Sequence, residues 1–332
     1  MNHYKSNLFS RFIPVSDKSI SEISMGEGNT PVVRLGKELY AKVDYMMPTL
    51  SFKDRGAVVM IAAAHEKGIR HIIQDSSGNA GCSVAAYCAR AGINADIYLG
   101  ESTPEKKIKM IESFGAKVLK IAGSREDVAA AAIKEASKGE KYYASHVFDP
   151  LFVQGMKSYL FEVYHDFEGD LPDNIFVPLG NGTLFFGVHL ALQDLLENQI
   201  INKSPNIIAI QTANCAPIYN SYILWHAATQ KHPKEKVKPR FHSVINRGTI
   251  ADGIAIASPA KGQQILEIIC NYNYSIVAVD DTEILDAHSA LSRMGYYVEH
   301  TSAANYAGYL KYMSKPDQVT GTSLITLCGA TK

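Results

Sequence analysis

The fold is decided by His71-Ile72-Ile73-Gln74, followed by Asp75-Ser76-Ser77-Gly78-Asn79-Ala80-Gly81 and an alanine-rich run that reaches Ala91 before Gly92. It reads as a short apolar strand, a turn of small residues, and a helix over Ala80 to Ala91 stopped by glycine. Working outward, Ala95 to Leu99 is a strand, and a helix led by Pro104 runs to Phe114 with Gly115 at its end. Lys117 to Ile121 is a strand, Arg125 to Ser137 a helix, and Lys141 to Ala144 a strand. On the near side, Asp54 to Lys67 is helical and ends at Gly68. Proline near helix starts and glycine just past helix ends are the expected punctuation. Strands alternating with helices call for an α/β fold with mainly parallel sheets covered by helices.

The same rhythm resumes after residue 150. A helix is expected over Gln154 to Phe167, a strand over Asn174 to Pro178, and a helix over Leu184 to Asn198. Asn206 to Gln211 is a strand, Ala216 to Gln230 a helix, and Ser275 to Val279 and Ser323 to Leu327 are late strands. A chain of 332 residues suits two such units. Their junction is expected near residue 146, with a ligand in the crevice between them.

Composition removes several function classes. Formal net charge is zero, and the densest basic run, Lys231 to Arg240, contains two prolines and reads as a solvated loop. Nucleic acid and membrane surfaces are therefore poor partners. Met1 to Val15 carries no apolar stretch of signal-peptide length, and no segment approaches a membrane span. Cys82, Cys88, Cys215, Cys270 and Cys328 are scattered without Cys-x-x-Cys spacing. Such a set suggests reduced thiols in the cytoplasm rather than disulfides or a metal site.

Four loops carry chemistry. In Ser51-Phe52-Lys53-Asp54-Arg55-Gly56, the Ser51 and Asp54 spacing resembles a capping box, placing Lys53 in a first helical turn. The positive end of the helix dipole disfavours a charged amine there, which suits a lysine that attacks an aldehyde. A solvent-facing lysine beside an acid and an arginine fits the same residues. Ser76-Ser77-Gly78-Asn79-Ala80-Gly81 opens a helix after a strand and offers backbone N–H groups to an anion, or is an N-cap with a tight turn. Gly180-Asn181-Gly182-Thr183 repeats that geometry and makes a phosphate cradle, although many turns of this type look alike. Leu327-Cys328-Gly329-Ala330-Thr331 ends the last strand, where the cysteine is either functional or simply a small buried residue.

Taken in order, Gly26-Glu27-Gly28-Asn29-Thr30-Pro31, the Lys53 loop and Ser77-Gly78-Asn79-Ala80-Gly81 resemble the signatures of threonine synthase. Asp149-Pro150 with Gly155 and Lys157 resembles the Asn-Pro…Glu-Gly-x-Lys segment that follows in that family. The likeness runs from about Gly26 to Thr331. It implies a fold-type II enzyme of the tryptophan synthase β-like superfamily, dependent on pyridoxal 5′-phosphate. That fold consists of two three-layer α/β/α domains with the cofactor in their crevice. Residues 1–53 and 146–332 would form the large phosphate-binding domain, and 54–145 the small substrate-side domain. A homodimer is usual in this fold.

The resemblance assigns roles position by position. Lys53 corresponds to the Schiff-base lysine that also removes the substrate α-proton. Asn79 corresponds to the asparagine on the cofactor's phenolic oxygen, and Ser76, Ser77, Gly78 and Ala80 lie where substrate carboxylate is received. Gly180, Asn181, Gly182 and Thr183 resemble the phosphate loop. Cys328 falls beside the pyridine nitrogen, where a neutral partner favours elimination and replacement over transamination. Thr249-Ile250-Ala251-Asp252-Gly253-Ile254-Ala255 resembles a threonine dehydratase segment, and Glu299 the glutamate before the small-residue run of both branches.

The likeness fails where threonine synthase holds the phosphate of O-phosphohomoserine. His146 and Val147 replace an Asn-Ser pair, Phe152 an arginine, and Leu184 an asparagine. A second phosphate then needs another anion pocket, with His146, Arg247 and Lys157 as its candidates. The implied activity is a lyase or synthase reaction of amino-acid metabolism, acting at Cβ or Cγ of a small amino acid, with His146 on the substrate side. Threonine synthase itself, a serine/threonine dehydratase, and a cofactor-binding protein without turnover are the alternatives.

Overall fold

The computed structural model describes residues 10–231, 233, 237–316 and 320–331. In chain order the first elements are α1 (Asp17–Ile23), β1 (Val32–Arg34), β2 (Leu39–Lys42), α2 (Lys53–Glu66), β3 (His71–Gln74) and α3 (Asn79–Ala91). Next come β4 (Asn94–Gly100), α4 (Glu105–Ser113), β5 (Lys117–Ile121), α5 (Arg125–Ala136) and β6 (Tyr142–Tyr143). Then follow α6 (Pro150–Met156), α7 (Ser158–Asp166), β7 (Asn174–Pro178), α8 (Thr183–Glu197), β8 (Asn206–Thr212) and α9 (Pro217–Lys231). The series closes with α10 (Gly262–Asn271), β9 (Ser275–Val279), α11 (Asp281–Arg293), α12 (His300–Met313) and β10 (Ser323–Thr326).

The chain divides into two compact units, one made of the residues up to Thr30 with Met46–Glu162, the other of Pro31–Tyr45 with all from Val163.

In the first unit a parallel sheet has the order β5-β4-β3-β6. Residues Ala95 to Leu99 of β4 are all buried, so both faces of that strand are covered, as a parallel strand between helices requires. Val128 and Ala132 of α5 pack on Ile73 and Tyr98 of the sheet. Helix α2 is buried along its length from Asp54 to Ala64, and α6 packs against it. A Cβ on Gly155 would fall 2.1 Å from the Arg55 carbonyl oxygen, so only glycine permits this approach of α6 to α2.

In the second unit the sheet order is β1-β2-β10-β7-β8-β9. All its pairings are parallel except that of edge strand β1 with β2. β7 and β10 are buried at every position, which again demands a layer on each face. Phe176, Ile208, Ile210, Val277 and Ile325 meet the small residues Ala303, Ala304 and Ala307 of α12 in the core.

Strands β5, β7 and β9 have the bounds read from sequence. The single helix expected over 154–167 is instead α6 and α7. Lys157 stands between them, its N–H on the Gln154 carbonyl at 3.2 Å, a three-residue bond that tightens the turn. In the basic run Lys231 closes α9, residues 237–240 are irregular, and His232 with 234–236 lie outside the described residues. Among the described residues no helix is long and apolar enough to cross a membrane.

Candidate functional site

Lys53 is the first residue of α2, as its loop suggests, but not through a capping box. Phe52 is the N-cap residue and no side chain caps the helix; Ser51 Oγ is buried without a hydrogen-bond partner. The Asp54 carboxylate turns elsewhere, accepting from Thr49 N at 2.7 Å, Thr49 Oγ1 at 2.5 Å and Ser83 Oγ at 2.5 Å. Three charge-assisted bonds to this buried carboxylate outweigh a single cap bond. Upstream, Leu50 adopts φ 63°, a left-handed conformation uncommon outside glycine, in the turn that delivers the chain to Lys53. Downstream, the fully buried Arg55 guanidinium pairs with Glu162 through two contacts of 2.6 and 2.8 Å and also donates to Ser158 Oγ at 3.0 Å. Lys53 thus stands directly before two anchored residues, Asp54 and Arg55. Its Nζ lies 4.3 Å from the Phe52 ring centroid and 6.0 Å from that of Phe152.

The other sequence candidates of this unit surround the start of α3. Gly78 is its N-cap in an extended conformation with no side-chain cap hydrogen bond. Ser76, Ser77, Gly78 and Asn79 are half-buried, and Ala80 is buried. Ser76 Oγ accepts from Gly78 N at 3.3 Å. Before the loop, Asp75 accepts from Tyr143 at 3.0 Å and from Arg125 at 2.7 Å, a support that local sequence does not signal. His146 is 6 % exposed with Nδ1 unpartnered. Burial chiefly, then the charge of Lys53, holds its imidazole neutral by pulling the pKa down to about 3, with Arg125 assisting and Asp75 opposing.

In the second unit Gly182 is the N-cap of α8 with φ 83° and no side-chain cap. Its Cβ would meet Ile265 Cδ1 at 2.7 Å, and a Cβ on Gly180 would meet the Gly253 carbonyl at 2.8 Å. The glycine loop and the Thr249–Ala255 segment, separate in sequence, are therefore packed together. Gly180, Gly182 and Thr183 are buried and Asn181 is half-buried. After β10, Cys328 is fully buried. Its Sγ donates to Glu299 Oε1 at 3.4 Å and lies 3.4 Å from Ser302 Oγ. Ser302 ties this corner by donating to the Gly329 carbonyl at 3.0 Å and accepting from Gly329 N at 3.1 Å. Ser302 lies in the small-residue run after Glu299, the one signal that could have found it.

Of the alternative anion ligands, Lys157 is 4 % exposed and donates to the Phe12 carbonyl. Arg247 sits on an exposed irregular stretch. Phe152 and Leu184 are buried.

The family model for pyridoxal-phosphate dependent enzymes matches residues 23–329. The chain belongs to that family. Threonine synthase of Methanocaldococcus jannaschii is 31% identical over 314 residues, covering 92% of this chain and 74% of that one. The fold is shared with the processed form of threonine deaminase isoform 2 from Solanum lycopersicum, at TM-score 0.77 and 20% identity, covering 100% of this chain and 91% of that one. It is shared also with maize serine racemase, at TM-score 0.75 and 21% identity over 96% and 94%.

Membership in the pyridoxal-phosphate dependent family makes this chain an enzyme of the lyase kind with pyridoxal phosphate as cofactor. Its residues fit that group. The uncapped N-terminus of α8, behind glycines whose added Cβ atoms would strike Ile265 and Gly253, suits a phosphate. Lys53 supplies an amine at a helix start, and Cys328 a buried thiol. When bound, the cofactor supplies an electron sink for the substrate's Cα. The protein's part is to bind, orient and move protons.

Proposed function

We propose that this enzyme catalyses elimination or replacement at Cβ or Cγ of a small amino acid, with Lys53 as both cofactor-holding and proton-moving residue. The observation that carries this reading is the Lys53 amine at the first turn of α2, directly before the anchored Asp54 and Arg55 and beside the Phe52 and Phe152 rings. The helix start and the two rings fix where the amine stands, and on this reading it takes the proton from Cα. Ser76, Ser77, Gly78 and Ala80 at the head of α3 receive the substrate carboxylate, and Asn79 binds the cofactor's phenolic oxygen. Gly180 to Thr183 hold its phosphate, and Cys328 faces its ring nitrogen without donating a full charge. His146 lies on the substrate side. On this reading 1–53 with 146–332 is the phosphate-binding domain and 54–145 the substrate-side one.

Phe152 carries no charge where the threonine synthase resemblance places an arginine, so O-phosphohomoserine is a poor substrate. Serine/threonine dehydration is the second reading, favoured by the Thr249–Ala255 segment that backs Gly180. The cytoplasmic location and homodimer expected from sequence belong to the same proposal, supported by the scattered cysteines and by the family resemblance. The test is to mix purified protein with L-threonine, L-serine and O-phosphohomoserine and follow 2-oxo acid and phosphate release. Turnover of a hydroxy amino acid is expected. Absence of any turnover overturns the proposal, and efficient threonine formation from O-phosphohomoserine makes the chain a threonine synthase with a different anion site.

A further inference from the structure

We propose that His146 grips the side-chain end of the substrate and selects an uncharged hydroxyl at Cβ or Cγ over a methyl group or a phosphate ester. The inference rests on the amino-acid reading above and names the substrate class for it.

The first support is an unmet bond. His146 Nδ1 is buried and has no hydrogen-bond partner. Native proteins leave few buried polar atoms in this state, and those that persist call for an explanation such as a ligand. Ser51 Oγ, fully buried two residues before Lys53, is a second such atom. The turn that presents His146 is not loose: Ser145 Oγ accepts from the N–H groups of Val147 and Phe148, each at 3.3 Å, and Asp149 caps α6 by accepting from Leu151 N at 2.9 Å. The backbone that carries the imidazole is held, yet its Nδ1 is left unused.

The second support is the setting. The Phe152 ring meets the imidazole edge-on at 6.0 Å, and the same ring lies 6.0 Å from Lys53 Nζ. His146 therefore shares an aromatic neighbour with the lysine proposed to act on Cα. The charged groups that bear on it are Lys53 of α2, Asp75 after β3 and Arg125 of α5. Asp75 and Arg125 are joined at 2.7 Å.

The third support is charge. Burial and Lys53 keep the ring neutral, with the pKa near 3. A neutral imidazole nitrogen exchanges a single hydrogen bond with a hydroxyl and is well matched to it. It offers no full charge to a phosphate dianion, which would lose its hydration against Phe152 without a paired cation. A methyl group would leave Nδ1 unpaired, and sites built to bond a hydroxyl discriminate strongly against analogues that lack it.

The test is equilibrium binding to the holoenzyme, read from the cofactor absorbance during titration with L-threonine, L-2-aminobutyrate and O-phospho-L-serine. The wild type should bind L-threonine at least tenfold more tightly than either of the others. His146→Leu should bring L-threonine and L-2-aminobutyrate within twofold of each other, and His146→Gln, which keeps a hydrogen-bonding group, should retain most of the preference. If His146→Leu does not accumulate folded, His146→Met serves as the second apolar variant. A wild type without preference, or an unchanged preference in the apolar variant, overturns the inference while the amino-acid reading stands. A wild type that responds to no amino acid overturns that reading and the inference with it.

Discussion

The Arg55 guanidinium meets the Glu162 carboxylate at two points, Nη1 to Oε1 at 2.6 Å and Nη2 to Oε2 at 2.8 Å, two residues beyond Lys53. Arg55 is fully buried, so Glu162 neutralises a charge that cannot reach water. Removing one member of such a pair leaves the other unpaired and typically costs about 3–5 kcal/mol. Glu162→Ala should lower the denaturant midpoint by a corresponding amount, and Glu162→Gln, which keeps one acceptor, by less. Unchanged midpoints in both would show that the pair does not anchor α2.

The phosphate cradle gives a second expectation. Gly182 has φ 83°, and its Cβ would collide with Ile265. Gly182→Glu combines backbone strain of roughly 1–3 kcal/mol with a like charge beside phosphate. Cofactor dissociation constants, measured by absorbance on the folded variant, should rise at least tenfold. An unchanged constant counts against the loop as the phosphate site.

Much of this architecture is legible in local pattern. β5, β7 and β9 are short apolar runs bounded by turn residues, and their ends are where the pattern places them. Helix starts near 53, 79 and 183 are equally plain, which puts Lys53, Gly78 and Gly182 at the heads of their helices. What local pattern does not carry is competition between distant partners. Ser51 and Asp54 have capping-box spacing, yet Thr49 and Ser83 take the Asp54 carboxylate. The residues 154–167 look like one helix, and the tight turn at Lys157 divides it. Helices α10, α11 and α12, and strands β1 and β2, lie outside the alternation read from sequence. Arg55 with Glu162, and Asp75 with Arg125, are joined across spans that no window contains. Ser302 beneath Gly329 belongs to the same class.

His146 predicts an acid limb. In the fold its pKa is pulled down to about 3 by burial and Lys53, whereas the unfolded chain protonates near 6.5. Between those values the unfolded state carries the extra proton. The stability this group contributes is therefore full above 6.5 and drains as pH falls, by about 1.4 kcal/mol per pH unit. The gap between denaturant midpoints at pH 8 and pH 5 should be smaller in His146→Gln than in the wild type. Equal gaps would show that the imidazole is protonated in the fold.

On the proposed reading, Phe152 and Leu184 stand where the threonine synthase resemblance expects ligands for a substrate phosphate. Each missing charge-assisted hydrogen bond to a substrate phosphate removes about 1.5–3 kcal/mol. Two together weaken binding roughly a hundredfold or more. kcat/KM for O-phosphohomoserine should fall at least that far below the value for the preferred hydroxy amino acid. Comparable values would require a phosphate site built from other residues.

The central claim is that Lys53 holds the cofactor, and borohydride reduction of the purified holoenzyme followed by peptide mapping tests it most directly. Cofactor should be fixed to the peptide containing Lys53, with the label lost in Lys53→Ala. Label on another lysine, or none from protein that carries pyridoxal phosphate, would contradict it.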